Sequence, residues 1–198
     1  MITLAIDTAN ENIAIALLKN KTILFEYNQA MPRGQGEALI PLIQDMLNQS
    51  NLTPTDINQI AVAIGPGSFT GVRIAMATAR GMALALDIPI YGTTTLEASA
   101  FQTSGKTLSV LDTKRGDFYT QLFQDGNPLE EPQIRTTEQI KTLSDISLVG
   151  SSAQSLSEQT GIPVQNIPLS SAVAIAFSAL THKREAIPYY LRDADVSC

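Results

Sequence analysis

Few residues in this chain could do chemistry. It has 198 residues with one histidine, His182, and one cysteine, Cys198. Tetrahedral zinc sites draw three or four ligands from imidazole, thiolate and carboxylate, so this composition nearly excludes one. Only an all-oxygen metal site stays open. No internal disulfide can form from a single cysteine. A Ser-His-Asp triad would have to use His182, and no G-x-S-x-G motif accompanies it. His182 stands in "THKRE" at the end of an expected helix, where a cation complements the final carbonyls. Two aspartates invite a second reading. Asp7 in "AIDTA" and Asp112 in "VLDTK" each open an Asp-Thr turn. Such a carboxylate either holds Mg²⁺ through water or closes an Asx turn on a local N–H, and the turn is the simpler reading.

The third candidate is "IGPGSFTGVR", residues 64–73, with Gly65, Gly67 and Gly71. No Lys-Ser/Thr pair follows, so it is not a Walker A loop. The third glycine is one position too late for G-x-G-x-x-G. The loop still leads into a helix whose first N–H groups could meet an anion, with Ser68 or Thr70 as N-cap. The competing reading is a tight strand-to-helix turn, favoured by Gly and Pro66.

These residues need elements to position them. Leu4 and Ile6, then Ile13, Ile15 and Leu17, then Ile23, Phe25 and Tyr27 recur at period two, separated by "DTANEN" and "KNK". That predicts three antiparallel strands. A helix "GEALIPLIQDMLNQS", a strand "INQIAVAIG", a long helix "FTGVRIAMATARGMALALD", a strand "IPIYG" and a short helix "TTLEASAFQ" follow. The fold class is α/β. The second half begins again: "TLSVLDT" echoes "TLAIDT", and "DFYTQLF" then stands where "NIAIALL" stood. This suggests a duplicated ββα-rich unit. A boundary in the polar "FQTSGKT" gives lobes 1–103 and 104–198, with the terminal residues free to pack back on the first. "ISLVG" and helices from about Ser151 and over "LSSAVAIAFSALTHKR" complete the second lobe. Two lobes that each open with a strand, an Asp-Thr turn and a strand resemble the actin-like and sugar-kinase-like architecture, in which both turns face a nucleotide cleft.

Bulk properties narrow the setting. The hydrophobic content of 44% supports a sizeable core. A net charge of −6 argues against nucleic acid gripped by this chain alone. The start "MITLAIDTAN" lacks a positive n-region, and no apolar run is long enough to span a membrane. The expected location is cytoplasmic.

The first two helices are too apolar for one contact each. On the first, Ala38, Leu39, Ile40, Leu42, Ile43, Met46 and Leu47 cover roughly 200°. On the second, Val72, Ile74, Met76, Ala79, Met82, Ala83, Leu84 and Leu86 go nearly all round, and Arg73 and Arg80 share the one polar stripe. Either this helix is central to its domain or a partner covers its second face.

"GPGSFTGVRIA" closely resembles the signature of the TsaB (YeaZ) family of bacterial tRNA threonylcarbamoyladenosine synthesis proteins. The resemblance runs through "AIDTA", "RGQGEALIPLI", "IPIYGTTTLEA", "LDTKRGDFY" and "PYYLRDADV". Two departures stand out: Ala75 replaces a usual glycine, and residues 34–36, "GQG", replace a His-containing stretch. The family is similar to the catalytic protein TsaD, whose metal-binding His-Leu-Glu-Gly-His stretch corresponds here to "TLEAS". Thr95 and Ser99 stand at the two histidine positions, and hydroxyls do not replace imidazoles. The resemblance therefore implies a two-lobed actin-like fold without catalytic or metal-binding residues. It implies a scaffold for the complex that transfers threonylcarbamoyl to the adenosine beside the anticodon of tRNAs reading codons that begin with A. It implies pairing with TsaD through Leu39, Ile40, Ile43, Met46, Leu47, Val72, Arg73, Ile74, Met76, Ala79 and Arg80. It further implies recruitment of the ATPase TsaE, self-pairing when alone and only indirect contact with tRNA. No intrinsic cofactor is expected, and ATP with Mg²⁺ enters only within the complex. Asp7, Thr8, Gly65, Gly67 and Asp112 are the nucleotide-cleft candidates. An ATP-binding phosphotransferase and a peptidase are the competing readings.

Overall fold

The period-two segments pair as their spacing predicts. The computed structural model describes residues 1–167 and 169–192, which divide into two units. Unit 1 holds Met1–Thr95 and Leu169–Tyr189; unit 2 holds the remaining described residues, from Leu96 onward and again from Tyr190.

In unit 1, β1 (Ile2–Asp7), β2 (Asn12–Lys19) and β3 (Thr22–Ala30) form an antiparallel meander. α1 (Gln35–Gln49) follows, then β4 (Gln59–Ala63), α2 (Phe69–Leu86) and β5 (Ile90–Thr93). β4 lies parallel to β1 and β5 parallel to β4, so the sheet order is β3-β2-β1-β4-β5. Every residue of β1 and β4 is buried. Strands covered on both faces read as continuous apolar runs, as "ITLAID" and "QIAVA" nearly do. The covering helices are α1, α2 and a helix from far along the chain, Ser171–Thr181, which packs on all five strands. Its N-cap Ser170 accepts the Val173 N–H, and Ala172, Val173, Ala174, Ile175, Ala176 and Ala179 are buried.

Unit 2 repeats the plan in shorter form. α3 (Thr95–Ala100) opens at its boundary. β6 (Lys106–Asp112) and β7 (Phe118–Gln124) form the hairpin, followed by two stubs, β8 (Asn127–Pro128) and β9 (Gln133–Arg135), both on β7. α4 (Thr137–Lys141), β10 (Ser147–Val149) parallel to β6, and α5 (Ala153–Thr160) complete the unit. The order β10-β6-β7-β8 reproduces β4-β1-β2-β3 of unit 1. The duplication seen in "TLAIDT" and "TLSVLDT" is thus a duplication of topology. Leu108, Val110, Phe118, Ile140, Ile146, Leu148, Ala153 and Leu156 form the core. Where unit 1 has one nine-residue strand, unit 2 bridges its two stubs with side chains. Glu130 accepts the Leu122 N–H of β7 at 3.1 Å and both Nη groups of Arg135 at 2.7 Å.

The last helix, α6 hereafter, departs from the expected partition. The sequence places it in the second half, but its contacts are with the sheet of unit 1. The expected boundary at "FQTSGKT" also lies inside unit 2, which begins at Leu96. Ala100 is the reason: it packs with Phe123 and Val149, so the short helix belongs to the second core. Asp193 to Cys198, including the end of "PYYLRDADV", lie outside the described residues.

Candidate functional site

The glycine loop is filled from within the chain. A Cβ at Gly67 would lie 2.3 Å from the Ala9 carbonyl oxygen, and one at Gly71 would lie 1.9 Å from that of Thr8. Both distances are far inside van der Waals contact, so only glycine lets the β1–β2 turn pass here. The Ser68 N–H, one of the first an anion would meet, donates to Ala9 O at 2.7 Å. Thr8 Oγ1 donates to Gly71 O at 2.6 Å. Gly65, at φ 95°, leaves room for the Tyr189 carbonyl, which a Cβ would approach to 2.9 Å. Ser68 is the N-cap of α2 and its hydroxyl accepts the Gly71 N–H. Gly65, Gly67 and Thr8, expected at a nucleotide cleft, are here parts of one loop-to-turn joint.

Asp7 anchors that joint. It is 2% exposed, and its carboxylate accepts the Ala9 N–H at 2.8 Å. Burial pushes its pKa up from the ordinary 3.8, and hydrogen bonds with Ser171, Ala9 and Asn10 offset part of the rise. Gln35, in the unusual "GQG", donates to the Asn10 and Asn12 carbonyls at 3.1 and 2.8 Å. It fixes the start of α1 on the same turn. Asp112, in unit 2, takes a different environment. It is exposed and closes an Asx turn, accepting the Lys114 N–H at 2.7 Å. Its own N–H donates to Ser152 Oγ.

Of the two hydroxyl residues that the resemblance sets at histidine positions of TsaD, Thr95 is buried and its hydroxyl donates to Pro66 O, while Ser99 is half-buried. Among the described residues no three His, Cys, Asp or Glu side chains are grouped as metal ligands. His182 is exposed as the C-cap of α6.

The helix residues expected at a partner interface separate into two sets. Leu39, Ile43, Met46 and Leu47 of α1 and Val72, Met76 and Ala79 of α2 are buried in the chain's own core. They cannot be surface contacts: the sheet and the α1–α2 seam already cover them. Ile40, 52% exposed, faces outward with Arg73 and Arg80, and Ile74 is half-buried. Gly36 of α1 opposes Ile74, whose Cδ1 would lie 3.7 Å from a Cβ there. The outward face of α2 is a continuous stripe. Phe69, Arg73, Ala77, Arg80 and Leu84 follow at spacings of three and four, and all are exposed. Leu84 is 86% exposed, and the Arg73 guanidinium stacks 3.6 Å from the centre of the Phe69 ring. The residues expected at the interface omit Phe69 and Leu84, although Leu84 stands among the apolar residues read on this helix. The signal was available, because both fall on the stripe that Arg73 and Arg80 define.

Comparisons with known proteins bear on the family and the fold. The family model described as "TsaD: tRNA N6-adenosine threonylcarbamoyltransferase" matches residues 29–192. The chain is 39% identical over 137 residues to the tRNA threonylcarbamoyladenosine biosynthesis protein TsaB of Bacillus subtilis, a match covering 68% of this chain and 60% of that protein. It is 38% identical over 126 residues to the protein of the same name from Escherichia coli, covering 61% of this chain and 54% of that protein. The matches thus span less than two thirds of those relatives. YeaZ from Pseudomonas aeruginosa has a similar fold, with TM-score 0.78 at 23% identity over 96% of this chain and 99% of that one. The two sheets of matching order are those of the actin-like fold. The chain belongs to the TsaB (YeaZ) family.

Proposed function

We propose that this chain is a non-catalytic subunit in tRNA threonylcarbamoyladenosine biosynthesis. Its part is to dock the catalytic protein TsaD on the outward stripe of α2 and the neighbouring Ile40 of α1, and to recruit TsaE to that pair. When alone, it pairs with itself through the same face. The observation that carries this reading is the stripe itself. Two helices whose other faces already fill the core have no folding reason to expose Leu84 and Phe69 on α2 and Ile40 on α1. Ala77 and Gly81 between them are small and exposed, which lets a second helix approach closely. The filled glycine loop supports the same reading, because its polar groups serve the chain's own backbone.

The test is a reconstituted tRNA-modification assay with TsaD, TsaE, tRNA and the threonylcarbamoyl donor. Leu84→Glu is expected to remove the stimulation given by this chain. Asp112→Ala and His182→Ala are expected to leave it intact. Loss of stimulation with either of the last two, in folded protein, would point to chemistry performed by this chain.

A further inference from the structure

After α6 the chain turns back along unit 1. Residues 184–189 run beside β5, the edge strand of the sheet. The Gly92 N–H donates to Arg184 O at 2.9 Å, Tyr91 bridges Glu185 in antiparallel fashion, and the Tyr189 N–H donates to Ile64 O at 2.7 Å. Gly92 and Gly65 make the passage possible. A Cβ at Gly92 would lie 3.0 Å from Glu185 O and 3.1 Å from the Ala186 Cα, as well as 2.6 Å from Ile64 Cγ2. The segment therefore closes the β5 edge and presses on the glycine loop that launches α2. It is also fastened to α2 itself: Arg80 Nη2 donates to Ala186 O at 2.8 Å.

Arg80 thus belongs to two structures. Its backbone lies in the exposed stripe, and its guanidinium holds a segment 106 residues away. A short segment held by a few such bonds is the kind of unit that opens without unfolding its sheet. A charge-assisted bond at a half-exposed site competes with water, and covering the site strengthens it. We propose that residues 184–189 form a latch fastened by Arg80, and that a protein docked on the α2 stripe holds the latch shut. The second half rests on the docking reading above; the first does not. By linkage, docking favours the closed latch by the same factor by which the closed latch favours docking.

Hydrogen exchange of the full chain, alone and with TsaD, tests both halves. In the isolated chain, Arg80→Ala is expected to speed exchange at the Gly92 and Tyr189 amides about tenfold or more, with β1 and α1 unchanged. Arg80→Lys, which keeps one charged donor, is expected to fall between. Trypsin should cut faster after Lys183 and Arg184 in the Ala variant. Unchanged exchange in folded Arg80→Ala, or faster exchange spread evenly over the sheet, overturns the latch. With TsaD bound, the wild-type segment is expected to exchange more slowly. TsaD binding that leaves its exchange unchanged overturns the coupling alone. Failure of TsaD to bind wild-type protein overturns the docking reading, while the Arg80→Ala arm still decides the latch.

Discussion

Single residues divide sharply here between those that need their atoms and those that do not. Gly67 and Gly71 cannot gain a Cβ without displacing the Ala9 or Thr8 carbonyl. Gly71→Ala is expected to cost about 3 kcal/mol or more in a urea unfolding measurement; a loss under about 1 kcal/mol would mean the turn packs elsewhere. Asp7 makes a different prediction. Its folded pKa is raised from 3.8, so the folded chain keeps its proton to higher pH than the unfolded chain. The stability this gives is present below 3.8 and is lost as pH rises through the raised pKa. Asp7→Asn keeps an acceptor for the Ala9 N–H and carries no charge to desolvate. Its stability advantage over the parent is expected to grow as pH rises through that window, and a constant difference would contradict the burial effect. The residue types at this joint were legible in "AIDTA" and "GPGSFTG"; their role was not. Three glycines at a helix start look alike whether they face a phosphate or a neighbouring carbonyl, and only the tertiary contact distinguishes the two.

At the scale of elements, periodicity located most of unit 1 well. The alternating runs became β1 to β3, and "GSFTGVRIA" started α2 at Phe69 behind the N-cap Ser68. β8, β9 and α4 had no such signal, since stubs of two, three and five residues are shorter than the periods that would reveal them. The apolar helices were legible as doubly apolar, but the two faces were assigned together. Leu39 and Ile43 on α1 turned out to face the core while Ile40 faces out, because one residue step rotates the helix by about 100°. Ile43→Glu would therefore unfold the chain rather than test an interface. Gly81 is the sharper probe of α2. A Cβ there meets nothing within 4 Å. Gly81→Ala is expected to stabilise the isolated chain by about 0.5–1 kcal/mol, as for any exposed helix glycine. If another helix packs on the stripe, the same methyl group weakens docking. Thermal unfolding and TsaD affinity measured on one preparation should thus move in opposite directions; affinity that is unchanged would mean the partner does not approach α2 closely.

Across the whole molecule, the duplicated order of the two sheets explains why the halves read alike. It also explains where the sequence misled. α6 is apolar nearly all round, which says that it is buried and not against which sheet. It lies 76 residues after Thr95 in sequence yet covers the sheet that Thr95 completes. Such pairings are set by long-range packing that no local pattern records. The overall charge of −6 bears on function at this scale. On the scaffold reading, a chain of this charge should show no salt-dependent tRNA binding by itself, and a steep fall in tRNA affinity with salt would contradict that reading. The central claim is that this protein acts through a surface. Light scattering on size-exclusion fractions tests it most directly, with the 21.3 kDa chain mixed with an equimolar amount of TsaD. The expected result is a complex holding one copy of each protein, reduced to the separate components by Leu84→Glu. A complex that survives Leu84→Glu together with Ile40→Glu, both in folded protein, would contradict it.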